Sequence, residues 1–226
     1  MSGANDLIDF FNANCNASLS PAMEKYMLGQ FSFLGIKSPE RKQLLRQFLQ
    51  NQGYPDAAHL EAFVKQLWQT PGRELHYAAM EIASRKTFLK DSERIILIEW
   101  MITHESWWDT VDFIASNMAG VWFKLHPQEI LPVTSRWMAS GNIWLQRTCL
   151  LFQLKYRHET DAGLLFGFIE QLASEKEFFI RKAIGWALRE YSKTEADAVM
   201  QFVETHTLSP LSRREALKVI LKRAIP

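Results

Sequence analysis

Apolar residues recur along this chain at three- and four-residue intervals, while strand-like alternation bounded by tight turns is nearly absent. The pattern predicts an all-α protein of about a dozen helices. In the first half the expected helices are 22–28, 40–50, 57–69, 72–86, 91–103 and 107–118. The second half adds 127–138, 143–156, 161–173, 176–191, 194–206 and 210–224. Ser20-Pro21 and Ser38-Pro39 each read as an N-cap followed by proline at the first helical position. Leu44, Leu45 and Phe48 then supply the apolar face of the helix after Pro39.

Connections such as Gln69-Thr70-Pro71-Gly72 and Ala139-Ser140-Gly141-Asn142 are short and polar, which favours antiparallel helix pairs. Helices beginning near Glu74, Trp107, Ile143, Phe179 and Ser212 recur about every 35 residues, each preceded by another amphipathic helix. Stacked pairs of this kind make an α-solenoid whose small rotation per repeat generates a concave face. No long linker divides the chain, so residues 1–226 are expected to form a single array.

Composition narrows the classes. With 226 residues and 47% hydrophobic content the chain can bury a substantial core, and disorder is not expected. Its 26 basic and 25 acidic side chains give no global preference for a polyanion. Residues 1–120 hold 11 basic and 14 acidic side chains and the remainder 15 and 11, so the second half is mildly basic. A nucleic-acid partner must therefore be argued from clustering rather than net charge. Cys15 and Cys149 sit far apart among apolar residues, where cysteine acts as a small hydrophobe, and a reducing cytoplasm is the natural compartment. The start lacks the basic and apolar regions of a secretory signal, and no apolar run reaches spanning length, so no membrane association is expected. The six histidines are scattered without a ligand pair at helical spacing, and no glycine-rich phosphate loop is present, so neither a metal nor a cofactor is expected.

Chemistry concentrates in Ser106-Trp107-Trp108-Asp109-Thr110-Val111-Asp112. Trp108 and Asp112, four apart, project from one face of a helix at the edge of the stripe formed by Val111, Ile114, Ala115 and Met118. Ser106 followed three residues later by Asp109 reads as a capping box, which leaves Asp112 as the acid without a structural task. If the second helix of each pair lines the concave face, Trp108 and Asp112 meet Trp144 and Arg147, then Arg181, Lys182 and Trp186, then Arg213, Arg214 and Lys218. A basic and aromatic set around one acid suits phosphate contacts with stacking or cation–π contacts. Plainer readings stand beside this one. Trp144 near a helix start reads as core, and Lys182, Arg214 and Lys218 as ordinary solvated charges. Arg147 lies in a strongly apolar helix, so a buried stem is expected, with Asp112 as a natural partner in a structural ion pair.

Four segments resemble the AlkD-like DNA alkylation repair family, in order and at matching spacing. They are residues 26–42 (Tyr-Met-Leu-Gly-Gln-Phe-Ser-Phe-Leu-Gly-Ile-Lys-Ser-Pro-Glu-Arg-Lys), Trp107-Trp108-Asp109-Thr110-Val111-Asp112, Leu145-Gln146-Arg147, and Ile180-Arg181-Lys182-Ala183-Ile184-Gly185-Trp186. The resemblance implies HEAT-like helical repeats and a DNA N-glycosylase that removes N3- and N7-alkylated purines such as 3-methyladenine and 7-methylguanine in base excision repair. It implies that Asp112 is the catalytic carboxylate, that Trp108 and Trp186 pack against the lesion's sugar-phosphate, and that Arg147 is a basic residue near the site. Tyr26, Lys37, Arg41 and Lys42 in the first segment would meet DNA, together with Arg181, Lys182, Arg213, Arg214 and Lys218. At Lys37 some active relatives carry glutamine. The implied partner is double-stranded DNA bearing alkylated purines, bound by a cytoplasmic, nucleoid-associated monomer with the lesion left stacked.

Elementary chemistry is compatible with that role. A purine alkylated at N3 or N7 is cationic and already a good leaving group, so the developing charge is positive and sits on the deoxyribose. A nearby carboxylate stabilises it and can orient the attacking water. The rival expectation is a non-catalytic repeat module that binds damaged or branched DNA, and after it a protein-binding scaffold with a neutral or apolar groove.

Overall fold

The structure is a computed structural model that describes residues 3–223, so the end of the helix expected over 210–224 lies outside the described residues. Among the described residues every regular element is helical, and the chain divides into two compact units, Met1–Asp91 and Ser92–Pro226.

The first unit contains α1 (Ala4–Ala13), α2 (Ser20–Tyr26), α3 (Ser38–Gln52), α4 (Leu60–Gln69), α5 (Arg73–Ala83) and the single turn α6 (Lys86–Leu89). Helix α1 is an element that the apolar pattern did not announce. Its buried face is only Ala4, Leu7 and Phe11, and its first turn is closed by the Asp6 carboxylate accepting from the Gly3 amide at 2.8 Å. The prolines at 21 and 39 do start helices, but Ser20 and Ser38 lie inside the first turn and make no cap, which falls to Leu19 and Lys37. Helix α5 ends at Ala83, short of the expected Lys86, because the chain breaks into α6.

Between α2 and α3 the chain is pinned by two carboxylates, Glu24, which accepts from the Phe33 amide, and above all Glu74. Glu74 on α5 is fully buried, and its carboxylate accepts from the amides of Leu34 (2.9 Å), Gly35 (3.0 Å) and Ile36 (3.0 Å). Three backbone donors on one carboxyl group satisfy both a buried polar side chain and a loop with no ladder partner of its own. Gly35 is required here: its φ is +80°, and a Cβ would fall 1.9 Å from the Asn16 carbonyl oxygen.

The second unit contains α7 (Arg94–Thr103), α8 (Trp108–Ile114), a π turn (Ala115–Ala119), α9 (Gly120–Leu125), α10 (Ile130–Ala139), α11 (Ile143–Leu151), α12 (Ala162–Leu172), α13 (Phe178–Tyr191), α14 (Ala196–Thr205) and α15 (Pro210–Arg223). Helix α8 packs on α11, α11 on α13, and α13 on α15, so the second helices of successive pairs form one row. That row follows the period of about 35 residues read from the sequence. Val111, Ile114, Ala115 and Met118 are all fully buried beneath it.

Two local features depart from expectation. The helix expected to end at Met118 continues to Leu125 through the π turn, where Ser116 donates to the Asp112 carbonyl (3.0 Å) and Asn117 to the Phe113 carbonyl (2.9 Å). Short polar side chains thereby take up carbonyls beside the widened turn. The Ser106–Asp109 capping box does not form. Trp107 is the N-cap, in extended backbone, and the Ser106 hydroxyl instead donates to the Ile102 carbonyl at 2.6 Å.

The cysteines differ from each other. Cys149 is buried, and burial pushes its thiol well above the usual range, as befits a small core hydrophobe. Cys15 is exposed, contrary to the apolar environment expected for it. No helix among the described residues is long and apolar enough to cross a membrane.

Candidate active site

Helices α8, α11 and α13 bring three expected features of the second unit together. Asp112, one turn after Trp108 on α8, faces Arg147 on α11 in a bidentate pair: Nε to Oδ1 at 2.7 Å and Nη2 to Oδ2 at 2.9 Å. Arg147 Nη1 donates in addition to the carbonyl of Phe179 in the first turn of α13. One guanidinium fork therefore ties three helices of the row, which the planar five-donor geometry of arginine suits and a lysine could not reproduce.

The two partners differ in access. The Arg147 side chain is 4% exposed and that of Asp112 15% exposed. Arg147 is thus a buried orienting group rather than a surface cation in reach of phosphates. Asp112 retains an opening to solvent. Burial pushes its carboxyl above the ordinary aspartate range, the hydrogen bonds and charge of Arg147 pull it back, and nearby Asp109 adds to the rise.

Beside this pair stands an aromatic cluster in which Trp144, expected either on the concave face or in the core, meets Trp107 and Phe179. The Trp107 ring lies 5.1 Å from Phe179 edge to face and 5.9 Å from Trp144, and Trp144 lies 5.0 Å from Phe179. Trp144 is half-buried within that cluster rather than in the deep core. In the sequence Trp107 and Phe179 stood out only as repeat starts within or beside the family-like segments. Phe178, next along, is largely exposed. Trp108 and Trp186 are each half-buried, on α8 and α13 respectively.

The remaining candidates scatter. In the first unit Tyr26, Lys37 and Lys42 are exposed, but Arg41 is not: its Nη2 meets Glu81 Oε1 at 2.6 Å and its guanidinium lies over Tyr77. Burial at 5% exposure removes Arg41 from the surface cations and makes it a packing residue. In the second unit Arg181 Nε donates to the Glu175 carbonyl, Arg213 to the Val203 carbonyl, and Arg214 is exposed. Lys182 and Lys218 converge on the carboxylate of Glu215. No group of three histidine, cysteine or acidic residues among the described ones is arranged to hold a metal ion.

Helix α13 is held against α15 with no space to spare. A Cβ on Gly185 would lie 2.5 Å from Glu215 Cβ and 2.8 Å from the Ser212 carbonyl oxygen. Alanine ordinarily favours a helix interior over glycine by about 1 kcal/mol. Here Gly185→Ala is expected to destabilise instead, by about 1–3 kcal/mol from overpacking, and to shift Trp186 on the same helix. Chemical denaturation checks the sign.

Paired helices packed in a row, with an acid, a buried arginine and tryptophans along it, define an all-α repeat protein with a polar, aromatic face. Residues 7–220 match the family described as DNA alkylation repair enzyme, and the chain belongs to that family. The structure is similar to a predicted DNA alkylation repair enzyme from Enterococcus faecalis, with 32% identity, TM-score 0.84, and coverage of 92% of this chain and 97% of that one. It also shares its fold with the smu.31 protein of Streptococcus mutans (18% identity, TM-score 0.62, 78% of this chain and 91% of that one). AlkD2 from the same species is alike in fold (19% identity, TM-score 0.61, 78% and 88%). No curated protein matches the chain. Its AlkD-like helical fold and its place in alkylation repair, with DNA as partner, follow from the family.

Proposed function

We propose that the protein is a DNA glycosylase that hydrolyses the N-glycosidic bond of N3- and N7-alkylated purines, with Asp112 as the catalytic carboxylate. The supporting observation is the geometry of Asp112 itself: an acid with both oxygens fixed by Arg147 and a remaining opening to solvent, one helical turn from Trp108. A backbone-binding surface gains nothing from an acid aimed at phosphates, whereas an acid held still beside a sugar that becomes cationic lowers the barrier to departure of the base.

The roles divide as follows. Asp112 stabilises the oxocarbenium-like sugar and orients water to its C1′ carbon. Arg147 aims that carboxylate and keeps it charged. Trp108 and Trp186 offer ring faces to the cationic sugar, worth about 0.5–2 kcal/mol each. The base leaves with the electron pair of the glycosidic bond, and because alkylation had already made it cationic, no acid need protonate it. The single array expected for residues 1–226, with a concave groove for the duplex and a monomeric, cytoplasmic state, belongs to the same proposal.

The pH dependence follows from the direction of the Asp112 shift. Only the ionised carboxylate stabilises a cation, and its proton is held more tightly than in an ordinary aspartate. Base release is therefore expected to fall with decreasing pH along a limb lying above the ordinary aspartate range, around 4. Arg147→Met, which removes the opposing charge, should move that limb higher still. Single-turnover rates from pH 4 to 8 on methylated duplex measure both limbs, and one that does not move in Arg147→Met would separate the arginine from catalysis. The proposal as a whole is tested by incubating the protein with methylated duplex DNA and assaying free base: binding without release identifies the non-catalytic module.

A further inference from the structure

A cavity of about 260 Å³ lies among α11, α12, α13 and the connections that follow α11 and α13, and no residue given a role at Asp112 lines it. Its apolar wall is Leu150, Leu154, Leu165 and Ala187. The polar rim is set by Arg157, Thr160 and Tyr191, with Glu190 and Lys193 closed on each other at 2.6 Å. The lining therefore carries one cation beyond a neutral pair, and that cation is Arg157.

The connection that carries Arg157 is tied down on both sides of it. The Gln153 side chain, 5% exposed, brackets the backbone of Asp161, accepting from its amide at 2.8 Å and donating to its carbonyl at 3.2 Å. Tyr156 donates its hydroxyl to the Gly120 carbonyl at 2.6 Å, Lys155 donates to Asn117, and Glu159 pairs with Lys124. Arg157 differs from these neighbours. Its guanidinium has no partner among the described residues, and its φ is +57°. A left-handed backbone is costly for most residues other than glycine and asparagine, and such strain persists where a particular side chain is needed.

We propose that this cavity binds a small amphipathic monocarboxylate, with the carboxylate held by Arg157 and the hydrocarbon part laid on the leucines. The planar fork of arginine pairs with both carboxylate oxygens at once. Thr160 and Tyr191 add hydroxyl donors, and Tyr191 keeps its proton because burial, then Glu195 and Asp161, push its phenol above the ordinary range. One net positive charge suits a monoanion. An inorganic ion or a phosphodiester would leave the apolar wall uncovered. The volume falls just under the roughly 300–1,000 Å³ of most ligand pockets, so the ligand is small. Neither DNA nor the chemistry assigned to Asp112 enters this assignment.

The probe is 4-methylpentanoate, with 4-methylpentanamide as its uncharged counterpart, each titrated into the 226-residue protein. NMR follows the methyl signals of Leu150, Leu154 and Leu165 and the Nε–Hε signal of Arg157. The carboxylate should bind with a Kd on the order of 1 mM, the scale for about eight non-hydrogen atoms, and the amide about tenfold more weakly or worse. Arg157→Met should lose about tenfold of the carboxylate affinity and little of the amide affinity. Arg157→Gly should lose it too, yet melt about 2–4 °C higher, because relief of the left-handed backbone separates a residue kept for a ligand from one kept for the fold. Ala187→Leu, which fills the wall, should abolish binding, and the Arg157 variants carry the test if it does not fold. Unmoved methyl signals, equal binding of the amide, or a lower melting temperature in Arg157→Gly overturns the proposal. Inorganic phosphate or undamaged duplex DNA that moves the Arg157 signal where 4-methylpentanoate does not overturns it as well, the duplex result making Arg157 part of the DNA surface.

Discussion

Asp112→Asn is expected to cut base release from methylated duplex by on the order of a hundredfold or more, the scale set by removing one preorganised charge from a transition state. The substitution keeps shape and one oxygen but removes the negative charge facing the sugar. It also leaves the Arg147 guanidinium, 4% exposed, without its counter-ion. Breaking a buried pair from one side costs about 3–5 kcal/mol, so the variant should melt earlier as well as react more slowly. The two effects separate by working well below the melting temperature and measuring DNA affinity in parallel. Affinity should hold or rise, because a negative charge near phosphates is gone. A variant that binds and stays folded but does not release base assigns the chemistry to the carboxylate.

Glu74→Ala is expected to be the most destabilising single change in the first unit, on the order of 4 kcal/mol or more. Its carboxylate is the acceptor for the amides of Leu34, Gly35 and Ile36, and its side chain is fully buried. The alanine leaves three amides without their acceptor in a loop otherwise held by the Phe33 amide on Glu24, the Asn16 amide on the Leu34 carbonyl and the Arg73 amide on the Ser32 carbonyl. Against a typical total stability of about 5–15 kcal/mol, that loss places the unit near unfolding at 37 °C. Glu61→Ala is the control, because its i,i+4 pair with Lys65 lies at the surface and should change stability by no more than about 0.5 kcal/mol. Urea denaturation of both variants gives the comparison, and equal losses would show that burial and amide capture are not what matters at Glu74.

Particular residues show what could be read in advance. The row of α8, α11, α13 and α15 was legible because Trp107, Ile143, Phe179 and Ser212 recur about every 35 residues, and a repeat imposes its packing on every copy. Trp108 and Asp112 were legible as one face because four residues is one helical turn, and both precede the π turn. The π turn was not, since an added residue in a helix leaves the apolar period intact on either side of it. Helix α1 was missed because a face of Ala4, Leu7 and Phe11 flanked by asparagines carries little signal. Arg147 was open between surface contact and ion pair, and its pairing with Asp112 is a fact of tertiary packing across 35 residues. For the same reason Glu74 and Glu215 passed unremarked: their partners lie between 26 and 40 positions away, apart from Lys218, and nothing local distinguishes them from surface acids.

Asp112 and its fixed carboxylate are tested most directly by product analysis on duplex DNA carrying 3-methyladenine and 7-methylguanine. The wild type should yield free methylated base together with an abasic site in equal amount, and Asp112→Asn, folded and bound, neither. Wild-type protein that binds the duplex and leaves every glycosidic bond intact, or a variant that releases base at the wild-type rate, would contradict hydrolysis by this acid.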